Sequence, residues 1–83
     1  EVPAREFVDT VVHEGRHAYQ FYAVEHPGFH ANDVEVKTWA ENLRPENYLT
    51  PEMFGQELYQ NQPVEADARN YASQITSAIL GGA

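Results

Sequence analysis

The residues with the clearest chemical potential are two histidines four positions apart, in the segment His13-Glu14-Gly15-Arg16-His17. On a helix, side chains at this spacing share one face with Cβ atoms about 5–6 Å apart, so two imidazoles can bind one zinc ion at roughly 2.0–2.1 Å. Glu14 is rotated by about 100° from His13 and lies beside the ion rather than on it. That position suits a general base, which takes a proton from a zinc-bound water whose pKa the ion lowers from 15.7 to about 7. The segment therefore predicts a hydrolytic zinc site.

A third ligand is expected, because catalytic zinc normally has three protein ligands and a fourth position for water. One class of zinc site has its third histidine six residues after the second, but here that position is Ala23. His26 and His30, which flank the predicted turn at Pro27-Gly28, are rival ligands. Histidines beside such a turn are usually surface residues. The remaining source is an acidic helical segment at residues 65–72.

Two carboxylates of this segment, Glu65 and Asp67, compete for the role of third ligand. Both flank the predicted apolar stripe of their helix at equal angular offsets, so periodicity does not choose between them. We favour Glu65, because its same-face neighbours Ala68 and Ala72 are small and let two helices approach closely, whereas Asp67 lies beside Tyr71. Asp67 is then a candidate for orienting a histidine through a hydrogen bond. Glu65 also has a purely structural explanation, since a carboxylate in the first turn of a helix gains about 0.3–1 kcal/mol from the helix dipole.

The two histidines lie in the first predicted helix, which runs from Arg5 to Val24 without a proline and ends before Pro27. The histidines lie nearly opposite its apolar stripe, which excludes buried core histidines and also fits a solvated surface. The stripe, which we expect to face the core, comprises Ala4, Phe7, Val8, Val11, Ala18 and Tyr22.

Capping and proline signals divide the rest of the chain into three further helices. Helix 2 begins with a capping box of Asn32 and Glu35, although residues 34–39 also fit a short strand. The other two begin with proline in the first turn, and the last ends at Gly81-Gly82. The predicted bounds are Asn32 to Leu43, Thr50 to Leu58 or Tyr59, and Pro63 to Ile79. No stretch alternates convincingly with period two, so we predict one all-α domain of about four helices over residues 1–83.

Composition excludes several other functions. The 83 residues carry thirteen acidic and five basic side chains, a formal charge of −8, so nucleic acids and anionic membranes are poor partners. Because there is no cysteine, any metal must bind through histidine, carboxylate or carbonyl groups. The short, charge-interrupted apolar stretches predict no membrane span or signal peptide within the chain, which leaves the compartment undecided. The first residue is Glu1 rather than methionine, which is consistent with a fragment of a longer protein.

Several other side chains have suitable chemistry for a supporting role. Tyr48, Tyr59, Arg69 and His30 each carry a donor that could stabilise an oxyanion, and nothing in the sequence selects one of them. Trp39 is predicted to anchor the core rather than to bind substrate.

Two segments taken together resemble a known family. They are similar to small zincin-like metallopeptidases of the gluzincin type, found in bacteria and associated with phages, in which an HExxH helix precedes an acidic helix with the approximate pattern N/Q-P-x-E-x-D/E-A-x-x-F/Y-A. The segments are His13-Glu14-Gly15-Arg16-His17-Ala18-Tyr19-Gln20 and Gln62-Pro63-Val64-Glu65-Ala66-Asp67-Ala68-Arg69-Asn70-Tyr71-Ala72.

The resemblance implies a zinc-dependent peptidase that cleaves peptide or protein substrates, with an endopeptidase the favoured kind. By the same likeness, His13, His17 and Glu65 are the zinc ligands and Glu14 is the base. Zincins usually carry a sheet whose edge pairs with the substrate, and no sheet is predicted here. Either the sheet lies upstream of Glu1 or the fold is reduced to its metal-binding helices. The alternative function is a non-catalytic binding or regulatory module whose zinc site is structural or vestigial.

Overall fold

The structure is a computed structural model that describes residues 3–81, and these residues form helices joined by turns. The helices are α1 (Ala4–Glu25), α2 (Asp33–Asn42), α3 (Pro51–Phe54), α4 (Gln56–Asn61) and α5 (Pro63–Leu80). Between residues 3 and 81 no strand occurs, so the predicted all-α class is confirmed. The alternative of a strand at residues 34–39 is wrong, because this segment is helical. No helix in the described range is both long enough and apolar enough to span a bilayer.

Local signals account for most of the helix ends. The Asn32 side chain accepts a hydrogen bond from the backbone N–H of Glu35 at 3.0 Å, which caps α2. Only this half of the predicted capping box forms, since the Glu35 carboxylate pairs with His30 instead. The last helix begins at Pro63 and ends at Gly81, which has φ 65°. Glycine adopts this left-handed conformation without strain, as the sequence predicts.

The prediction of a single helix after Thr50 is wrong. The helix is interrupted at Gly55, which separates α3 from α4. Gly55 has φ 89° and ψ 159°, a conformation that no α-helix contains and that only glycine adopts readily. Helical periodicity continues across the break, so the sequence pattern did not reveal it. The structure therefore has five helices in the described residues where the sequence predicts about four.

The core lies where α1 and α5, the two longest helices, meet α2. Trp39 is 1% exposed and forms the core with Ala23 and Val64, which confirms its predicted role as an anchor. The molecule is only 19 Å thick, which is about two helix diameters of 10–12 Å. A body this thin has little interior, so many large apolar side chains remain at its surface.

The face that α1 turns toward α5 is not the predicted apolar stripe. Phe7 is 62% exposed and Val11 is 54% exposed. The packed face instead carries polar residues, including Asp9 and Gln20. The Asp9 carboxylate accepts a hydrogen bond at 3.1 Å from the buried Thr76 of α5. Among the described residues, every buried side-chain nitrogen or oxygen has a hydrogen-bond partner. This polar interface therefore carries no desolvation penalty for unpaired groups.

The packed face of α5 differs in part from the apolar stripe that the sequence predicts, which comprises Val64, Ala68, Tyr71, Ile75 and Ile79. Ile79 is largely exposed, and Tyr71 is at the surface. The buried positions after Val64 are Glu65, Ala68, Ala72 and Thr76. Ala68 and Ala72, the small same-face neighbours of Glu65, are both fully buried.

Candidate metal centre

The structure brings together His13, His17 and Glu65, which α1 and α5 contribute. Oε1 of Glu65 lies 3.1 Å from Nε2 of His13 and 3.3 Å from Nε2 of His17. The two imidazole rings are 4.9 Å apart between centroids and inclined by 68°. One donor atom from each residue can be chosen so that all lie within 4.8 Å of one another. We call these three residues the donor cluster.

The spacing of the donor cluster fits a zinc ion. Ligand atoms about 2.0–2.1 Å from a tetrahedral zinc ion are about 3.3 Å apart, from the geometry of a tetrahedron. The two contacts between the histidines and Glu65, at 3.1 and 3.3 Å, are close to that value. The donor atoms all lie within 4.8 Å of one another, so any donor–donor distance above about 3.3 Å would have to shorten when a zinc ion binds.

The burial of Glu65 also favours a cation at this place. Its residue is only 4% exposed, yet within the part of the chain that the structure describes its ionic partners are histidines, with no lysine or arginine. The nearby guanidinium of Arg16 is bound to Asp67. A buried carboxylate requires a cation or several hydrogen bonds. Hydrogen bonds from Tyr48 and His13 supply part of this stabilisation, and a divalent ion between the imidazoles would add to it.

Glu65 is held in the ionised form that a metal ligand requires. Burial raises the pKa of Glu65, but hydrogen bonds from Tyr48 and His13 and the nearby histidine charges outweigh it, so the pKa lies below its usual value. The Tyr48 hydroxyl donates to Oε2 of Glu65 at 2.5 Å. Burial and the Glu65 carboxylate raise the pKa of Tyr48, so this hydroxyl stays protonated. Tyr48 thus restrains the carboxylate through Oε2, while Oε1 contacts His13 and both oxygens lie 3.3 Å from Nε2 of His17.

The orientation of His17 is determined by the fully buried Gln20, one turn further along α1. The Gln20 amide nitrogen donates to the backbone oxygen of Val64 at 3.0 Å and to the Asp67 carboxylate at 2.8 Å. Because both partners only accept, the amide oxygen must face Nδ1 of His17, at 2.9 Å. Nδ1 therefore donates to the amide oxygen, which leaves Nε2 as the His17 nitrogen that faces the Glu65 carboxylate. Such an arrangement is favourable when a cation lies between them.

The expectation that Asp67 contacts a histidine is wrong. Its carboxylate accepts hydrogen bonds from Nε and Nη2 of Arg16, at 2.8 and 3.2 Å, and from Gln20. Burial lowers the pKa of Arg16, but Asp67 outweighs this and raises it overall. The guanidinium also lies over the rings of Tyr19 and Tyr71, at 4.5 and 4.4 Å. Asp67 thus supports the donor cluster only indirectly, through Gln20.

Glu14, the predicted base, opens onto the same space as the donor cluster. It is exposed and lines an open cleft of about 450 Å³ next to the two helices. The residues that line this cleft are Glu14, His17, Phe21, Leu43, Pro45, Tyr48 and Glu65. A molecule in the cleft can therefore contact the base and two members of the donor cluster together.

The rival histidines lie outside the donor cluster and are bonded elsewhere. Nδ1 of His26 donates to the backbone oxygen of Tyr22. His30 lies between the Tyr19 hydroxyl, 2.6 Å from Nδ1, and the Glu35 carboxylate, 2.7 Å from Nε2.

The candidates for oxyanion stabilisation lie at different distances from the donor cluster. Arg69 donates to the backbone oxygen of Gln60 at the surface. The ring centroids of Tyr48 and Tyr59 are 6.4 Å apart. Burial raises the pKa of Tyr59, and the charges of Glu65 and, more weakly, Glu14 raise it further. Of the side chains considered at the sequence level, Tyr48 is the one with a hydroxyl on the donor cluster and a surface in the cleft.

The role of Gln20 was missed from the sequence, although a signal existed. A glutamine three residues after His17 lies on the same helical face and can reach it. Tyr48 carried no comparable signal, because it follows a turn and its distance from Glu65 is set by the fold.

Known proteins give no independent guide to the function. No protein-family model, curated protein or solved structure matches this chain. The function must therefore be inferred from the donor cluster and the cleft.

Proposed function

We propose that this chain is a zinc-dependent metallopeptidase domain in which His13, His17 and Glu65 hold the ion and Glu14 is the general base. The main support for this proposal is that donor atoms of the three residues lie within 4.8 Å of one another. The cleft that contains Glu14 adds a space for substrate beside them. This function agrees with the zincin-like resemblance of the two segments.

Zinc, when bound, polarises a peptide carbonyl and lowers the pKa of a water molecule from 15.7 to about 7. The role of Glu14 is to accept a proton from the attacking water and pass it to the leaving amine. Glu14 suits this role because it is exposed and lines the cleft beside His17 and Glu65. Gln20 keeps a proton of His17 on Nδ1, and Tyr48 restrains the Glu65 carboxylate through Oε2.

The test is the variant Glu14→Gln, which keeps the size of the side chain and removes its basicity. We expect one equivalent of zinc to bind to both the wild-type protein and the variant, measured by calorimetry. Hydrolysis of a mixed peptide library, followed by mass spectrometry, should be lost in the variant by a factor of at least about 100. Glu6→Gln, an exposed change on the same helix, is the control and should keep full activity. Undiminished hydrolysis by Glu14→Gln would rule out this mechanism.

The second candidate is a non-catalytic module in which zinc fastens α1 to α5. It is favoured by the donor cluster itself, because the ligands come from the two longest helices of a thin domain and a metal would stabilise so small a core. Zinc-dependent stability without cleavage of any library peptide by the wild-type protein would support this candidate over the peptidase.

A further inference from the structure

The cleft beside the donor cluster has an apolar side as well as a polar one. The polar side consists of Glu14, His17, Tyr48 and Glu65, and the apolar side of Phe21, Leu43 and Pro45. Its lining surface is mainly apolar. A binding site for a hydrophilic molecule alone would not require such a surface, since ligand pockets combine apolar walls with a few oriented polar groups.

Phe21 lies at the cleft and outside the core. It follows His17 by one helical turn, which puts the two Cβ atoms about 5–6 Å apart. It is 54% exposed, and it does not belong to the core around Trp39. An aromatic ring that is half exposed next to a metal-ligand histidine is available to a bound molecule.

The opposite part of the apolar surface comes from the turn that follows α2. Leu43 continues the helix by donating its backbone N–H to Trp39 at 2.9 Å. The backbone N–H of Tyr48 then donates to the backbone oxygen of Arg44 at 3.0 Å, which closes the turn. The turn carries Leu43, Pro45 and Tyr48 as one unit, so the apolar wall and the hydrogen bond to Glu65 are positioned together.

The charge around the cleft disfavours acidic ligands. No lysine or arginine is among its lining residues, while Glu14 and Glu65 contribute carboxylates. Arg44, in the adjoining turn, is exposed and paired with Glu41 and Glu46. An acidic side chain entering the cleft would lose hydration without gaining a cationic partner from the protein.

We propose that this cleft is a specificity subsite, which accepts a bulky apolar side chain next to the cleaved bond of a peptide and rejects an acidic one. The inference rests on the proposed function, because the donor cluster must anchor the peptide. At about 450 Å³ the cleft is near the lower end of the roughly 300–1,000 Å³ found for ligand pockets. It therefore suits a short piece of an extended peptide.

The experiment measures binding separately from hydrolysis. Zinc-loaded protein is titrated with two peptide hydroxamates that differ only in carrying a leucine or an aspartate side chain. We expect the leucine compound to bind at least about tenfold more tightly, since pocket contacts of this size discriminate by about 10- to 200-fold. In Phe21→Ser this ratio should fall by roughly tenfold. Phe7→Ser, a matched change of another exposed phenylalanine on α1, should leave the ratio unchanged.

A complementary variant should shift the binding preference toward the aspartate compound. Phe21→Lys places a cation at the cleft, so affinity for the aspartate compound should rise relative to the leucine compound. Circular dichroism and zinc stoichiometry check that each variant is folded and loaded. Equal affinity of the wild-type protein for the two compounds, no binding of either compound, or a ratio that Phe21→Ser leaves unaltered would overturn the subsite.

The same materials separate this inference from the proposed function. Peptide hydrolysis without any side-chain preference refutes the subsite and retains the peptidase. A zinc-loaded protein that prefers the leucine hydroxamate but cleaves no peptide refutes the peptidase and retains only the preference of the cleft for apolar side chains.

Discussion

Replacing Gln20 by methionine tests whether a buried amide orients His17, one of the three proposed metal ligands. The Gln20 side chain is fully buried and makes three hydrogen bonds, with His17, Val64 and Asp67. Methionine has a similar length and adapts to irregular space, but it cannot replace the amide. The substitution therefore removes the hydrogen bonds with little change in volume.

The expected effects follow from the partners that are left without a hydrogen bond. Nδ1–H of His17 loses its hydrogen-bond partner, which costs about 1–3 kcal/mol. The backbone oxygen of Val64 keeps its hydrogen bond within α5 and Asp67 retains Arg16, so their losses are smaller. Burial of the methionine offsets part of this, which gives a net destabilisation of about 1–3 kcal/mol. A chain of 83 residues has a free energy of unfolding of about 4–12 kcal/mol, so this change is large.

Metal binding should weaken independently of folding. Without the amide oxygen, His17 is free to change tautomer and ring orientation, and changes of this kind typically reduce metal affinity by about 10–100-fold. Urea unfolding measures stability, and competition with a chromophoric chelator at low temperature measures the zinc Kd of the folded protein. Gln74→Met, at an exposed position of α5, is the control. If folded Gln20→Met binds zinc as tightly as the wild-type protein, the amide does not orient His17 and the reasoning is refuted.

The remaining predictions concern the metal and Tyr48. Zinc at a hundred times its Kd should stabilise the native protein by about 2.7 kcal/mol and raise the Tm by about 10–20 °C for a domain of this size, and a chelator should reverse the shift. Identical calorimetric melting curves with zinc and with chelator would contradict the donor cluster as a metal site. Tyr48→Phe removes the hydrogen bond to Glu65 and should weaken zinc binding about tenfold while the fold remains intact, measured by the same chelator competition. Unchanged zinc affinity in that variant would show that the Glu65 carboxylate is held without Tyr48.

The sequence by itself determined most of the helix ends and the local part of the candidate site. Asn32 and Pro63 begin helices by satisfying or avoiding unpaired N–H groups in the first turn, and Gly81 ends one in a left-handed conformation. Each of these effects acts over a few residues, so it can be predicted without the rest of the fold. The same is true of His13 and His17, whose common face follows from helical geometry alone.

Only the tertiary structure decided which faces of α1 and α5 meet. Hydrophobic periodicity favoured the face of α1 that carries Phe7, but the face that packs carries His17 and Gln20. A polar face can be buried when every group on it finds a partner, and those partners lie more than forty residues away on α5. Periodicity within one helix contains no information about such partners. For this reason the pattern misjudged the packing, left Glu65 and Asp67 unresolved, and could not place Tyr48 beside the donor cluster.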